Sequence, residues 1–145
     1  MTAIREGVWN MLRNDTALMA LGAGSGSSDN SLALFPNYTL DSPAAGLTRW
    51  MTLRWGAADS PVGRDSETRP MPLAIWMYDR QRDYDTIDTA LRRVRAVMKA
   101  VQGLALPGGG YLVAADWSFS SEDIWDDTYE AIARGETYRI VTNGI

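Results

Sequence analysis

Apolar positions first fall into a helical rhythm near the N-terminus. Ile4, Val8, Met11, Leu12, Leu18 and Met19 recur close to one helical face, with Arg5, Arg13 and Asp15 mostly opposite, which predicts a helix from Ile4 to Met19. Gly22 supplies a stop signal. The rhythm returns at Ile87, Leu91, Val94, Met98 and Val101, spaced by four, three, four and three residues. Asp83, Asp85 and Asp88 gather at the start of this second helix, and Arg92, Arg93, Arg95 and Lys99 lie toward its end, as the helix dipole favours. Gly103 is placed to close it.

Elsewhere the period is two. Met51, Leu53 and Trp55 alternate with Trp50, Thr52 and Arg54, a strand pattern. Leu73–Tyr78 is apolar on both faces, which predicts a central strand. Tyr111, Val113, Ala115, Trp117 and Phe119 share one face of another strand, and Thr137–Thr142 reads as the last. Leu32–Phe35, closed by Pro36, fits an edge strand. Residues 22–31 are rich in Gly and Ser and read as a flexible loop. Residues 56–72 are polar, carry three Pro and two Gly, and read as a long functional or mobile arm. Strand runs broken by single helices predict one α+β domain over residues 1–145, a mainly antiparallel β-sheet covered by two α-helices.

Composition narrows the chemistry. The 145 residues contain no Cys and no His, which removes disulfides, thiolate metal sites and any Ser-His-Asp or Cys-His mechanism. The net charge of −4 argues against a DNA-binding surface, since such surfaces neutralise phosphates with a basic excess. No run is long and apolar enough to predict a membrane span, and Met1–Leu12 is amphipathic and unlike a signal peptide. Thirteen Arg against one Lys fits either GC-rich coding or an interface-rich surface, where Arg is favoured over Lys.

Each candidate site has a plainer reading. The glycine run Gly22–Ser27 lacks the Lys of a P-loop and follows a helix, so a linker explains it better. Asp79, Asp83, Asp85 and Asp88 do not match a calcium loop, and helix capping explains most of them. Glu122, Asp123, Asp126 and Asp127 fit a solvated turn or acidic contact surface better than a metal-dependent hydrolase, which needs several convergent ligands. Trp125, inside that acidic stretch, is either a core plug or a contact residue. Arg92, Arg93 and Arg95 form a solvated helix face or meet an acidic partner, and that acid may stand on an identical chain, as in a head-to-tail ring.

One family shares this order of elements. The amphipathic Ile4–Met19 leads into Leu34-Phe35-Pro36; strands, a long polar connection and an acid-capped helix at Tyr84–Asp88 follow. The chain ends with Glu122-Asp123-Ile124-Trp125-Asp126-Asp127, Arg134 and Tyr138-Arg139-Ile140. Over nearly its whole length it resembles the tail terminator (tail completion) proteins of long-tailed bacteriophages. The resemblance implies a small α/β sandwich with no catalytic residues and no cofactor. It implies a homohexameric ring at the head–tail joint of a virion, assembled in the host cytoplasm. The ring would cap the tail tube, end tail polymerisation and dock the head connector, while DNA passes its lumen without specific binding. Tube and head-completion proteins would be its partners. Arg64, Arg69, Arg92, Arg93, Glu122, Asp123, Trp125, Asp126, Asp127 and Arg134 are the candidate subunit or partner interface. The alternative is another head–tail connector or neck-completion protein of the same joint.

Overall fold

The computed structural model describes residues 3–36, 46–56, 69–101, 103–107 and 109–143. Helices α1 (Ala3–Arg13) and α2 (Thr16–Met19) and a 3-10 turn (Ala20–Gly22) precede strands β1 (Ala33–Phe35), β2 (Arg49–Trp55) and β3 (Arg69–Asp79). Helix α3 (Tyr84–Lys99) follows, then β4 (Leu104–Ala105), β5 (Tyr111–Ser120), β6 (Ile124–Asp126) and β7 (Ala131–Asn143). The sheet runs β1-β2-β3-β7-β5-β4, and β6 also pairs with β7. Among the described strands, β1 and β2 alone pair in parallel. The α+β architecture is the expected one, but among the described residues three helices replace the expected two. The predicted first helix breaks because Asp15 turns the chain and accepts from the Leu18 amide at 2.9 Å, capping α2. Asn and Asp compete poorly inside a helix and well at its start.

The helices cover one face of the sheet. Val8 and Leu12 of α1, Leu18 of α2, and Ile87, Leu91 and Val94 of α3 join Met51, Leu53, Leu73, Ile75 and Ile140 in one buried cluster. Burying each such Leu or Ile contributes roughly 1.5–3 kcal/mol. The opposite face is held at one end by Trp50, fully buried and stacked on Tyr78 at 5.0 Å, with Tyr129 edge-on to both rings. Both faces of β2 are thus occupied, Met51 and Leu53 on the helix side and Trp50 on the other.

Two polar segments depart from their expected form. Residues 22–31 run as successive turns, in which Ser25 is fully buried and its hydroxyl donates to Gly22 O at 2.6 Å. The predicted arm 56–72 is shorter at its C-terminal end, because β3 already begins at Arg69 and pairs with Thr142. Proline is tolerated there for a geometric reason. Pro72 O accepts from Gly56 N at 2.9 Å, so the backbone groups of Pro72 face the β2 side. By strand alternation those of Pro70 do too, and the pairing of β2 with β3 stops at Trp55–Leu73. The missing N–H groups therefore cost no bond to β7. Residues 57–68 of that arm lie outside the described residues.

Strand β5 departs from the simple alternation expected of it. Register shifts between Leu112 and Ala114 and between Trp117 and Phe119 divide it. Leu112 and Ala115 consequently face the core together, while Tyr111, Val113, Trp117 and Phe119 are exposed.

Candidate functional site

Helix α3 and the β5–β6–β7 hairpin form the part of the molecule where most of the predicted interface residues meet. Asp83 caps α3 by accepting from Thr86 N at 3.2 Å and Thr86 Oγ1 at 2.7 Å. Its apolar stripe packs onto β3, β5 and β7 and leaves Arg92 and Lys99 exposed. Arg93 faces the other way and makes a bidentate pair with Asp15, at 2.8 and 2.7 Å. That guanidinium, first among several causes, holds the Asp15 carboxyl below its ordinary range. Arg93 is thus an internal tie between α3 and α2.

Arg134 on β7 is also committed internally. It pairs with Asp88 of α3 and lies 3.4 Å from Asp123. Asp126 caps the hairpin turn, accepting from Thr128 N at 2.9 Å and Tyr129 N at 3.2 Å. Glu122 and Asp127 are exposed. Trp125 is on the surface, 43% exposed, with the Arg82 guanidinium over its ring at 4.7 Å, so the core-plug reading is corrected. Arg69 opens β3 by its backbone, and Arg64 lies outside the described residues. The structure therefore gathers Arg134, Asp123 and their neighbours at one corner. Arg93 stands apart from them.

The aspartates that suggested a cation site have separate tasks. Asp83 caps a helix, Asp88 meets Arg134, and Asp79 is fully buried beside Arg49 and accepts from Gln81 N at 2.7 Å. Burial pushes the Asp79 carboxyl up. Among the described residues no group of three carboxylates converges on one point.

Sequence reasoning missed two features here. The first is a network under α3: Arg95 contacts Glu136 at 2.5 Å, and Glu136 also accepts from Tyr138 Oη at 3.1 Å and Ser120 Oγ at 3.2 Å. The same guanidinium sits 4.8 Å over the Trp117 ring. Burial, with the Glu136 charge beside it, raises the Tyr138 hydroxyl well above its ordinary range. These partners come from three elements, and only the spacing of Glu136 and Tyr138 on one strand face was visible in advance. The second is a groove of about 490 Å³ between α3 and β5, lined by Arg95, Met98, Lys99, Val113 and Trp117 among others. Its walls are aliphatic, aromatic and cationic, suited to contact with another surface.

No known family's sequence profile and no curated protein sequence matches the chain. Its fold is similar to that of a chain from the virion of the native gene transfer agent (GTA) particle. The two superpose with a TM-score of 0.66 at 17% identity, over 98% of this chain and 96% of that chain. The shared property at that identity is the fold, and it extends end to end.

Proposed function

We propose that this chain is a structural protein of a phage-like virion, and within it the tail terminator: a ring that caps the tail tube, ends its polymerisation and joins the tail to the head connector. The single observation that carries this reading is the end-to-end likeness in fold to a chain of the GTA virion. Two features of the chain agree with it. Its polar clusters are spent on capping and on ties between elements, as with Asp15–Arg93 and Arg134–Asp88, rather than on a reaction centre. Its net charge of −4 suits a ring through which DNA must slide without adhering. The reading makes the protein non-enzymatic and gives it copies of itself, the tube protein and a head-completion protein as partners.

Deleting the gene in cells that produce the particle, and viewing the products by electron microscopy, tests the assignment. Over-long tails without heads are the expected result. Tails of normal length beside unattached heads would move the protein into the neck, and normal particles would refute a virion role altogether.

A further inference from the structure

Two segments distant in sequence are tied into one corner of the molecule. Arg134 pairs with Asp88 of α3 and lies 3.4 Å from Asp123, and the Arg82 guanidinium covers the Trp125 ring at 4.7 Å. The start of α3 and the β6 hairpin therefore stand side by side. Three of the large apolar side chains exposed among the described residues belong to them: Tyr84 on α3, and Ile124 and Trp125 on β6. Exposed apolar side chains gathered within a polar surround mark a contact surface. Trp, Tyr and Arg are also the residues that most often anchor one.

The backbone holds this corner in a costly conformation. Arg82 has a φ of 61° and Glu130 a φ of 52°, both in the left-handed region that favours glycine. A residue with a side chain stays there only where its surroundings impose it. Arg82 sits between Gln81, whose amide donates to Asp79, and Asp83, which caps α3. Held there, its guanidinium fixes the exposed indole before any partner arrives, and a fixed side chain loses less freedom on contact.

The charge around these side chains selects the partner. Residues 82–88 and 122–130 carry eight of the chain's eighteen carboxylates and a single cation, Arg82. The net charge of the whole chain is −4, so its acidic excess is concentrated here and the remainder is net positive. Asp85, Glu122, Asp127 and Glu130 are exposed and make no ion pair among the described residues. Arg134 is spent on Asp88 and Asp123, and Arg92, which shares a groove with Asp88, still leaves a large excess of acid. Such a surface repels nucleic acid and attracts a basic polypeptide. A second copy of this chain is a poor occupant. Its exposed α3 cations share grooves with carboxylates, Arg92 with Asp88 and Lys99 with Asp116, so it would bring acid against acid.

We infer that the corner of Tyr84 and Trp125 docks a basic segment of another protein. Arg or Lys side chains of that segment lay their stems on the two rings and reach the exposed carboxylates with their heads. The inference rests on the virion reading, which places that segment on another protein of the particle.

Photocrosslinking in assembled particles tests it. A photoreactive benzoylphenylalanine takes the place of Tyr84, or in a second variant of Thr128, in the full chain made by cells that produce the particle. Mass spectrometry then identifies the cross-linked peptides. Both positions should capture the same basic segment of another particle protein. That segment, made as a synthetic peptide, should bind the purified wild-type chain. The reversal Glu122→Lys with Asp127→Lys, and separately Trp125→Ser, should each weaken that binding by roughly tenfold or more. The substituted residues are exposed, and circular dichroism should show the fold intact; Glu122→Gln with Asp127→Asn replaces the reversal if it does not fold. Cross-links to a neutral or acidic segment, to a second copy of this chain, or to nothing in particles that contain the chain overturn the inference and leave the virion reading standing. A peptide bound equally by wild type and variants overturns it too. Particles that are complete without the chain overturn the virion reading itself, and the inference with it.

Discussion

Replacing Arg95 by Met separates the work of its charge from that of its stem. The Arg95–Glu136 contact is asymmetric: the Arg95 side chain is 40% exposed and that of Glu136 5%. Removing the cation leaves a nearly buried carboxylate with two hydroxyl donors, Tyr138 and Ser120. Breaking a fully buried pair costs about 3–5 kcal/mol, and an exposed one contributes about 0–1. The exposure of Arg95 places this pair between those limits, near about 2 kcal/mol. Loss of the cation over Trp117 adds up to about 1 kcal/mol, part of which the Met sulfur recovers against the ring. The total, about 2–3 kcal/mol, corresponds to a fall in Tm of roughly 5–10 °C for a domain of this size. Glu136→Gln should cost less, about 1 kcal/mol, because the Arg95 head can turn to water. The double variant should lie close to Glu136→Gln alone, so the coupling should approach the whole cost of Arg95→Met, about 2–3 kcal/mol, in a double-mutant cycle by urea denaturation. Equal losses for the two single variants, or a coupling below about 0.5 kcal/mol, would show that the network behaves as a solvated surface pair and refute the reasoning.

Three other substitutions test separate parts of the account. Asp15→Asn keeps the cap of α2 but removes the charge facing Arg93; with Arg93 44% exposed, it should cost about 1 kcal/mol at neutral pH. Because the folded Asp15 carboxyl lies below its ordinary value of 3.8, this stability is present above that value. It is lost as pH falls through the lowered folded value, so wild type and variant should converge in strong acid. Asp79→Asn has the opposite sign: burial raises the folded carboxyl above 3.8, so its favourable contribution exists below that value and is lost as pH rises through the folded one. This variant should equal or exceed wild type by up to about 1 kcal/mol at neutral pH, a difference that urea titrations should see vanish on acidification. Gly135→Ala would place a Cβ 2.6 Å from the Trp76 ring, and the strained ring should cost about 1–3 kcal/mol in thermal melts with little change in the sheet's circular dichroism.

The elements most legible in the sequence were those whose signals are local. The acid cap and apolar stripe of α3 lie within one continuous segment, and Asp83 and Ile87–Val101 announce it almost to the residue. Strand β2 was legible because its alternation is regular, and the centre of β3, Leu73–Tyr78, because it is apolar on both faces; its first residues, Arg69–Pro72, were hidden in a polar, Pro-rich segment. The break at Asp15 was missed because one cap residue must outweigh a stripe of apolar positions that continues past it. The bulges in β5 were missed for a different reason: an inserted residue is defined by the facing strand β7, which the sequence of β5 does not contain. Strand β6 was hidden in a segment whose acids suggested a solvated turn or an acidic contact surface.

The candidate site followed the same division. That Glu122 and Asp127 are on the surface was legible from the acidic composition of their segment, whereas Trp125 inside it read equally as core or surface until its 43% exposure placed it. That Arg93 is spent on Asp15 was not, because the two residues are 78 positions apart. The exposure of Val113, Trp117 and Phe119 was likewise invisible, since an open edge exists only once the order of strands is known. A stripe of apolar residues reads the same in a sequence whether it faces a core or a partner.

The central claim is that this chain works as an assembled ring. The most direct test is native mass spectrometry of the wild-type protein over a range of concentrations. One discrete closed oligomer is expected, with a hexamer as the anticipated mass and no larger open-ended series. A monomer at every concentration, or unbounded growth into filaments, would contradict it.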